Sequence, residues 1–505
     1  YEIPLRLVGS EMCIRDRSST TTTMRRARKE AAAAAVVLDT GAAHVHVACS
    51  EHPDMHTIPN AIARTRQGVR RQVLVGDLIE SECQDYGGLQ LRQPIDRGMI
   101  VDWAAQKSVW DRALIKALGC KTTTDTFGLL RGRTVIVTEP YFALPEQQRA
   151  FDMLLFEWYE ADAIWRTTTA QLIPWSLATP RPEALLVVDM GHSYTHAVPI
   201  IRDQVVWHAV RRLDLGGKVL TSLLKVLFSY RQWNMMDETY LTDKMKCSSC
   251  FVAACARDEE RRRFPPQDAL PSSWSFEQLV EMFHADEDNP MVQQYVLPNY
   301  ATPEDVADPK TKYGHVLSGP AAYDTPMLPE DELDAFIAGS TTPSQHVAST
   351  EHQVLRLGQE RFQLFESFFA PKRIGLDQGS LPELIATCIS HVQEEARDML
   401  WTQIVLVGGS ARVPGLRRRL SQELRMWAPD DVPVHIHVPH DPIEASLHGA
   451  RTLWQASPTS EAGRCLASHL VQRSAWLDAG GSHAPPGERG GTTLGDTHFG
   501  GWNTT

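Results

Sequence analysis

Residues 185–200 contain the pattern that most constrains the fold of this chain. An apolar run at 185–188, typical of a buried strand, ends in the turn Asp189-Met190-Gly191-His192-Ser193, and a second strand-like run follows at 194–200. Two such runs joined by a short, glycine-containing loop predict a β-hairpin. Backbone N–H groups in a loop of this kind can bind an anion, and its aspartate can hold a metal ion through water.

A second copy of this pattern lies earlier, in VVLDTGAAHVHVAC at residues 36–49, where the loop is Asp39-Thr40-Gly41-Ala42-Ala43. Two strand-Asp-x-Gly-strand units in one chain suggest an internal duplication, with two lobes that face one cleft. The alternative is two ordinary hairpins whose loops carry common turn residues.

Bulk composition limits the classes of protein that this chain can be. A chain of 505 residues is too long for one simple core, so two or more domains are expected. The net charge of −12 argues against broad nucleic-acid binding by the whole chain, while a local basic patch or a basic partner such as a histone stays open. Nine scattered cysteines fit reduced intracellular thiols. No apolar run reaches the roughly 18 to 20 residues of a membrane span.

The two ends and two internal stretches have compositions that differ from the rest. Residues 1–33 are predicted to be disordered or non-native, with Met24 as a plausible start, and the Gly-rich residues 481–505 are predicted to be disordered. Residues 256–275 and 302–352 are rich in Pro, Asp, Glu and Ser, which predicts surface insertions. Such insertions either carry binding function or are simply tolerated loop length.

Six further motifs occur in an order that resembles actins and actin-related proteins, and the resemblance spans residues 34–480. They are HAVRRLDLGGKVLT (208–221), QPIDRGMIVDW (93–103), VTEPYF (137–142), ERFQLFESFF (360–369), VLVGGSARVPGLRRRL (405–420) and VQRSAWLDAG (471–480). Three features are closer to the actin-related protein 6 subfamily, namely SYRQWNMMDET (229–239), YVLPNY (295–300) and the His192-Ser193 pair.

The resemblance implies an α/β fold of the actin/hexokinase/Hsp70-like (ribonuclease H-like) class, with two lobes and a central nucleotide cleft. The first lobe is predicted at residues 34–171, with a small subdomain at about 67–98. The second lobe is predicted at 172–437, and residues 438–480 are predicted to return to the first lobe.

The resemblance also implies which residues contact a nucleotide in the cleft. The ligand would be ATP or ADP with Mg²⁺, although an empty cleft stays an alternative. Asp39 and Asp189 would hold the Mg²⁺ through water. The full set of implied contacts is Asp39, Thr40, Gly41, Ala42, Asp189, Gly191, His192, Ser193, Lys246, Gly408, Gly409 and Ser410.

Five positions depart from the actin pattern around this cleft. Ala42 and Ala43 stand where actins have Ser and Gly, and His46 replaces a phosphate-contacting lysine. His192 replaces an aspartate, and Thr169 replaces the glutamine that orients the attacking water. Each lost catalytic group can raise the barrier by several kcal/mol, so we predict a pseudo-ATPase, with nucleotide binding left open. Family drift is the alternative explanation of each single change.

The implied function is that of a non-catalytic subunit in a Swr/SRCAP-type chromatin-remodelling complex that installs the Z-type histone variant. Its implied partners are a Snf-type remodeller ATPase, a small zinc-finger HIT-domain subunit and, through the complex, the nucleosome and its histones. The implied location is the nucleus, with a cytoplasmic fraction left open. The short loop at 67–72 before Val75-Gly76-Asp77 argues against filament formation. The alternatives are a nucleotide-binding actin-like ATPase or small-molecule kinase, and a cytoskeletal actin-related protein.

Local patterns predict several elements around these motifs. The Asp102-Trp103 and Trp110 pattern predicts a helix that packs on the core, and residues 220–230 predict another amphipathic helix. Residues 151–169 are expected to form a helix along the cleft floor, and 404–407 a buried strand. The basic run at 417–419 is expected to be solvated.

Overall fold

The computed structural model describes residues 34–65, 72–120, 125–254, 274–285, 292–300, 312–317 and 353–480. The terminal segments 1–33 and 481–505 lie outside the described residues, as do most of the predicted insertions at 256–275 and 302–352. Within the described residues, no helix combines the length and the apolar character needed to cross a membrane.

Twenty strands are present in the described residues. In chain order they are β1 Ala34–Thr40, β2 His44–Cys49, β3 His52–Pro59, β4 Ile62–Arg64, β5 Val73–Val75, β6 Gln90–Arg92, β7 Ile95–Asp96, β8 Met99–Ile100, β9 Arg133–Thr138, β10 Ala163–Thr167, β11 Ala184–Met190, β12 Thr195–Ile201, β13 Gln204–Val205, β14 Arg211–Leu213, β15 Gln293–Val296, β16 His315–Val316, β17 Val354–Leu357, β18 Ile404–Val407, β19 Ile436–His437 and β20 Val471–Gln472.

The α-helices of the described residues lie mostly between these strands. They are α1 Leu78–Ser81, α2 Trp103–Ala117, α3 Pro145–Met153, α4 Thr169–Leu172, α5 Gly217–Arg231, α6 Thr239–Ser249, α7 Phe276–Ala285, α8 Glu360–Glu366, α9 Leu381–Ser390, α10 Glu394–Thr402, α11 Leu416–Leu424, α12 Ala445–Gln455, α13 Glu461–His469 and α14 Arg473–Asp478.

The two large sheets repeat one arrangement. In the first sheet the order is β20-β10-β9-β1-β2-β3, and β1 pairs antiparallel with β2 and parallel with β9. In the second sheet the order is β13-β12-β11-β18-β19, with β14 also on β12, and β11 pairs antiparallel with β12 and parallel with β18. Each central strand therefore carries one of the two hairpins, as the duplication hypothesis requires.

Burial explains why the two hairpin strands sit at the centre of their sheets. Both β1 and β11 are runs of small and branched apolar residues that are buried along almost their whole length, which suits a strand covered on both faces. The first lobe packs Trp110, Phe151, Phe156 and Trp476 into its core, and Phe156 lies 5.1 Å from Trp476 between ring centroids. The C-terminal helix α14 therefore packs against the first lobe.

Three predicted elements are present where the sequence places them. Helix α2 begins after Asp102, whose carboxylate accepts a hydrogen bond from the Ala105 N–H at 3.1 Å, and Trp110 is fully buried on it. Helix α5 covers the predicted segment at 220–230, and β18 is the predicted buried strand.

The predicted helix at 151–169 is wrong. Helix α3 ends at Met153 and continues as one π-helical stretch, Leu154–Trp158, after which Glu160 adopts a positive φ of 55°. Residues Ala163–Thr167 then form β10, which pairs parallel with β9. The sequence contains no glycine or proline at this break, so the change from helix to strand depends on the sheet pairing rather than on a local signal.

The expectation that residues 417–419 are solvated is wrong for Arg419. Its guanidinium is buried, lies 3.3 Å from a Glu366 carboxylate oxygen and 2.8 Å from one of Glu423, and donates to the Ala254 carbonyl at 2.6 Å. Arg417 and Arg418 are exposed, as expected. The helical period places only the third arginine on the buried face of α11.

We expect the Arg419→Ala variant to lose roughly 3 to 5 kcal/mol of unfolding free energy, because it leaves the buried Glu366 carboxylate without its cation. The control is Arg149→Ala on α3, another helical arginine, where the side chain is exposed and a change within about 0.5 kcal/mol is expected. Urea unfolding of both variants measures the difference. Equal stabilities would contradict the structural role of Arg419.

Candidate functional site

A cavity of about 550 Å³ lies between the two hairpin loops. This volume is in the range of small-ligand sites. Every residue that the sequence implied as a nucleotide contact lines this cavity, so the two loops, Lys246 and the turn after β18 come together at one place. That set is Asp39, Thr40, Gly41, Ala42, Asp189, Gly191, His192, Ser193, Lys246, Gly408, Gly409 and Ser410. Their contact with a nucleotide stays a prediction.

Asp39 ends β1 with its carboxylate buried at 6% exposure. The Thr138 hydroxyl donates to one carboxylate oxygen at 2.6 Å, and the Ser446 hydroxyl donates to the other. Thr138 ends β9 beside β1, whereas Ser446 lies on α12, 407 residues from Asp39 in the chain. Hydroxyl donors from two distant segments therefore satisfy this buried acid.

Asp189 occupies the corresponding place at the end of β11. The Tyr141 hydroxyl donates to its carboxylate at 3.0 Å. Burial raises the pKa of Asp189 to about 6, and the nearby charge of Asp39 raises the pKa further, while the Tyr141 hydrogen bond opposes this shift. Asp189 thus carries less negative charge at neutral pH than an exposed aspartate.

Two glycines that line the cavity are required by close contacts with neighbouring main chain. A Cβ atom at Gly41 would lie 2.7 Å from the His44 carbonyl oxygen. Gly408 has a φ of +89°, and a Cβ atom there would lie 2.5 Å from the Met190 carbonyl oxygen. Both positions therefore require glycine.

Two buried polar atoms on these loops are left for a ligand. The Thr40 hydroxyl and the Nε2 atom of His192 have no hydrogen-bond partner in the part of the chain that the structure describes. Both residues line the cavity, one from each hairpin loop. Because buried polar atoms are almost always paired in native proteins, this pair fits a polar ligand such as a phosphate group.

Lys246 is held within the second lobe. Its ammonium group donates to Asp243 at 2.6 Å, to the Thr221 hydroxyl at 2.8 Å and to the Gly217 carbonyl at 3.2 Å. These partners use all three donors of the ammonium group. Lys246 therefore fixes the start of α5 beside the second loop, and its charge is already balanced by Asp243.

Histidines occupy the cavity where the resemblance implies charged groups. Burial lowers the pKa of His46, which replaces the phosphate-contacting lysine, and lowers the pKa of His192 to about 4. Burial also lowers the pKa of His44 and of His196 to about 3. All four imidazoles are therefore neutral at pH 7, and they add no positive charge to the cavity.

Thr169 lines the cavity as the first residue of α4. Gln171, two residues later, does not replace the water-orienting amide of actins. Its side-chain oxygen accepts hydrogen bonds from the Thr167 hydroxyl at 3.0 Å and from the Thr168 N–H at 3.3 Å. Thr168 and Gln171 form a capping box at the start of α4. The position where the resemblance implies a water-orienting glutamine thus holds a short hydroxyl side chain.

Sequence reasoning missed three residues of this site, namely Thr138, Tyr141 and Ser446. Thr138 and Tyr141 lie within the VTEPYF motif, which pointed to the family but not to a role for either residue. No local pattern marks Ser446, because its contact with Asp39 joins opposite ends of the described chain.

A tyrosine cluster joins the region of the small sheet β5-β4-β6 to the second lobe, beside the mouth of the cavity. It consists of Tyr86, Tyr240, Tyr300 and Tyr313. The ring centroid of Tyr86 lies 5.3 Å from that of Tyr240, 6.1 Å from that of Tyr300 and 5.0 Å from that of Tyr313. Aromatic pairs at these distances stabilise a contact beyond their buried area.

Polar contacts reinforce the tyrosine cluster. Glu80, which lines the cavity, accepts from the Tyr240 hydroxyl at 3.1 Å and lies 3.7 Å from the Lys244 ammonium group. The Gly88 N–H donates to both carboxylate oxygens of Glu238, at 2.9 and 3.0 Å. The two sides of the cleft are therefore held together by the protein itself at the mouth.

Comparisons with known proteins agree with this architecture. A model of the actin family, described as "Actin", matches residues 30–460. The chain is 33% identical over 456 residues to the actin-like protein ARP6 of Cryptococcus neoformans var. neoformans, covering 88% of this chain and 83% of that protein. It is 31% identical over 435 residues to actin-related protein 6 of Drosophila melanogaster, covering 84% and 94%. It is 29% identical to actin-related protein 6 of Arabidopsis thaliana, covering 84% and 94%. The predicted family and fold class are thus confirmed.

The raised pKa of Asp189 predicts a pH-dependent effect of Asp189→Asn. Because the folded pKa is about 6 and the usual value is 3.8, the ionised carboxylate disfavours folding above pH 6, and this penalty disappears as the pH falls through 6 towards 4. We expect Asp189→Asn to be more stable than the wild type at pH 8 by up to about 3 kcal/mol, and to lose this advantage near pH 4. Urea unfolding at several pH values measures it, with the exposed Asp398→Asn as control. A stability difference that does not change with pH would contradict it.

The tyrosine cluster predicts that Tyr240→Ala loosens the small subdomain. The variant loses the stacking on Tyr86 and the hydrogen bond to Glu80. We expect roughly tenfold faster amide hydrogen exchange in residues 73–92, which corresponds to losing about 1.4 kcal/mol of interaction. The control is Tyr230→Ala on α5, because Tyr230 is 90% exposed. Unchanged protection of residues 73–92 would show that other contacts hold the mouth closed.

Proposed function

This chain belongs to the actin family, and we propose that it serves as a non-catalytic subunit of a Swr/SRCAP-type chromatin-remodelling complex in the nucleus. Two observations support the proposal. Relatives at about 30% identity over most of the chain carry the name actin-related or actin-like protein 6. The cleft combines a ligand-sized cavity with Thr169, His46 and His192 at positions where the resemblance implies groups that hydrolysis needs.

In this proposal the chain supports nucleosome engagement while another subunit supplies the motor. The partners are a Snf-type remodeller ATPase and a small zinc-finger HIT-domain subunit, and contact with histones occurs through the complex. The complex would exchange histone dimers and thereby install the Z-type histone variant in nucleosomes. A chain with a net charge of −12 is suited to contact basic histones or their chaperoned forms rather than DNA alone.

The observation that carries the non-catalytic part is the composition of the cavity around the reacting position. Phosphoryl transfer to water depends on positioned donors, cations and a group that orients the water. Here Thr169 stands at the water-orienting position, and Gln171 is engaged in a helix cap. His46 and His192 are kept neutral by burial. Each missing group removes several kcal/mol of transition-state stabilisation.

We also propose that the chain does not form actin-like filaments. Strands β4 and β5 pair directly, and the Thr65 N–H donates to the Gln72 carbonyl at 3.2 Å, so the connection closes at once. Residues 66–71 make this connection and lie outside the described residues. In actins a long loop at this place reaches the next subunit. The connection at residues 66–71 is too short to make such a contact.

The second candidate is a nucleotide-binding actin-like ATPase. One observation favours it, namely that both carboxylates and all the glycines of the implied site line one cavity. The two candidates differ in what Asp189 is for. In an ATPase its charge is needed for turnover, whereas in a non-catalytic subunit its size and hydrogen bond are what matter.

Affinity purification of the tagged full chain from nuclei, with mass spectrometry, tests the proposal. We expect recovery of a Snf-type ATPase and a zinc-finger HIT-domain protein. The Asp189→Asn variant, which keeps the shape of the side chain and its acceptor for Tyr141, is expected to recover the same partners in the same amounts.

Two outcomes would contradict the proposal. One is a purified sample that contains none of these subunits. The other is ATP turnover by the isolated chain that Asp189→Asn abolishes, which would support the actin-like ATPase instead.

A further inference from the structure

Two consecutive aromatic residues of the first lobe contact the second lobe, and the first of them, Tyr141, lines the cavity. Tyr141 donates its hydroxyl hydrogen to Asp189 at 3.0 Å, and its ring lies 4.5 Å from that of His196 between centroids. Phe142, with a positive φ of 59°, packs edge-on against Trp207 at 5.7 Å. A non-glycine residue in this backbone region is strained, so the surrounding contacts hold the segment in place.

The Tyr141 hydroxyl contacts Asp189, one of the two carboxylates that the resemblance implies would hold a hydrated divalent cation. A cation held through water needs carboxylate oxygens that accept from the water molecules around it. At this cavity the Asp39 oxygens accept from Thr138 and Ser446, and one Asp189 oxygen accepts from Tyr141. Protein hydroxyls therefore take contacts that metal-bound water would make.

The Tyr141 phenol is a neutral donor, so its hydrogen bond satisfies the Asp189 carboxylate without adding a positive charge to the cavity.

We propose that Tyr141 takes the place of the hydrated cation in joining the two lobes, so that the cavity binds a nucleoside diphosphate without a divalent metal. Thr40 and His192 contribute the hydrogen bonds to phosphate, since the Thr40 hydroxyl and the His192 Nε2 atom are unpaired among the described residues and line the cavity. A diphosphate carries less charge than a triphosphate, which suits a cavity whose histidines are neutral. The ligand proposed here occupies the same cleft. This inference rests on the proposed function, because it requires that the ligand is not hydrolysed.

The test measures ADP binding to the purified full chain by calorimetry, once with excess Mg²⁺ and once with EDTA. For the wild type we expect dissociation constants that agree within about twofold in the two conditions. In Tyr141→Phe the ring stays on His196 but the donor to Asp189 is lost. We expect this variant to bind ADP at least about tenfold more tightly with Mg²⁺ than with EDTA, because the freed carboxylate can accept from metal-bound water.

Tyr194→Phe is the matched control. Tyr194 lines the same cavity and packs against His196 at 6.0 Å, but its hydroxyl makes no hydrogen bond to any residue that the structure describes. This variant should behave as the wild type does. Circular dichroism and melting temperature of each variant establish that it is folded before binding is measured.

Three results would overturn the proposal. The first is wild-type ADP binding that Mg²⁺ strengthens about tenfold or more. The second is no ADP binding in either condition. The third is a folded Tyr141→Phe variant whose binding is as indifferent to Mg²⁺ as that of the wild type. No partner protein is involved, so failure here is distinguishable from failure of the proposed assembly.

Discussion

Two carboxylates near the ends of β1 and β11, Asp39 buried and Asp189 half-buried, are the constraint on which the rest of the cleft depends. A buried carboxylate is costly unless it is hydrogen-bonded, and hydroxyl donors are the least charged way to satisfy it. Asp39 accepts hydrogen bonds from Thr138 on the neighbouring strand and from Ser446 on α12. Asp189 accepts one from Tyr141 in the opposite lobe. Satisfying these two acids therefore places α12 and the segment after β9 against the hinge.

The duplication extends from the backbone to the side chains. In the first hairpin Asp39 is directly opposite His46, and in the second Asp189 is directly opposite His196. Burial keeps both of these imidazoles neutral, so each hairpin pairs its acid with a neutral histidine at the cavity. The two lobes differ in where the hydrogen-bond donors to the acid come from. The donors to Asp39 lie in the first lobe and in residues 438–480, which return to it, whereas the donor to Asp189 lies across the cleft.

The sequence predicts the parts of this site that depend on local pattern. The hairpins, their loops and the turn after β18 follow from apolar runs that end in Asp or Gly, and the family resemblance joins them into one cleft. The contacts of Ser446 and Tyr141 depend on tertiary structure, since each joins segments far apart in the chain. The strand β10 was missed because sheet pairing, and not a glycine or proline, ends the preceding helix. The burial of Arg419 was not predicted, because a run of three arginines does not by itself show which side chain faces the core.

Contacts within the protein hold the cleft closed at two levels. At the floor Tyr141 joins the lobes through Asp189, and at the mouth the tyrosine cluster and Glu238 join the small subdomain to the second lobe. A ligand can shift the balance between open and closed forms only by the difference in its affinity for them. When the closed form is already favoured by these contacts, a nucleotide adds stability but changes the shape little. A constant shape lowers the ordering cost of binding for every partner that docks on it. In the non-catalytic subunit that we propose, a cleft whose shape is set by the protein's own contacts would present the same surface to each partner.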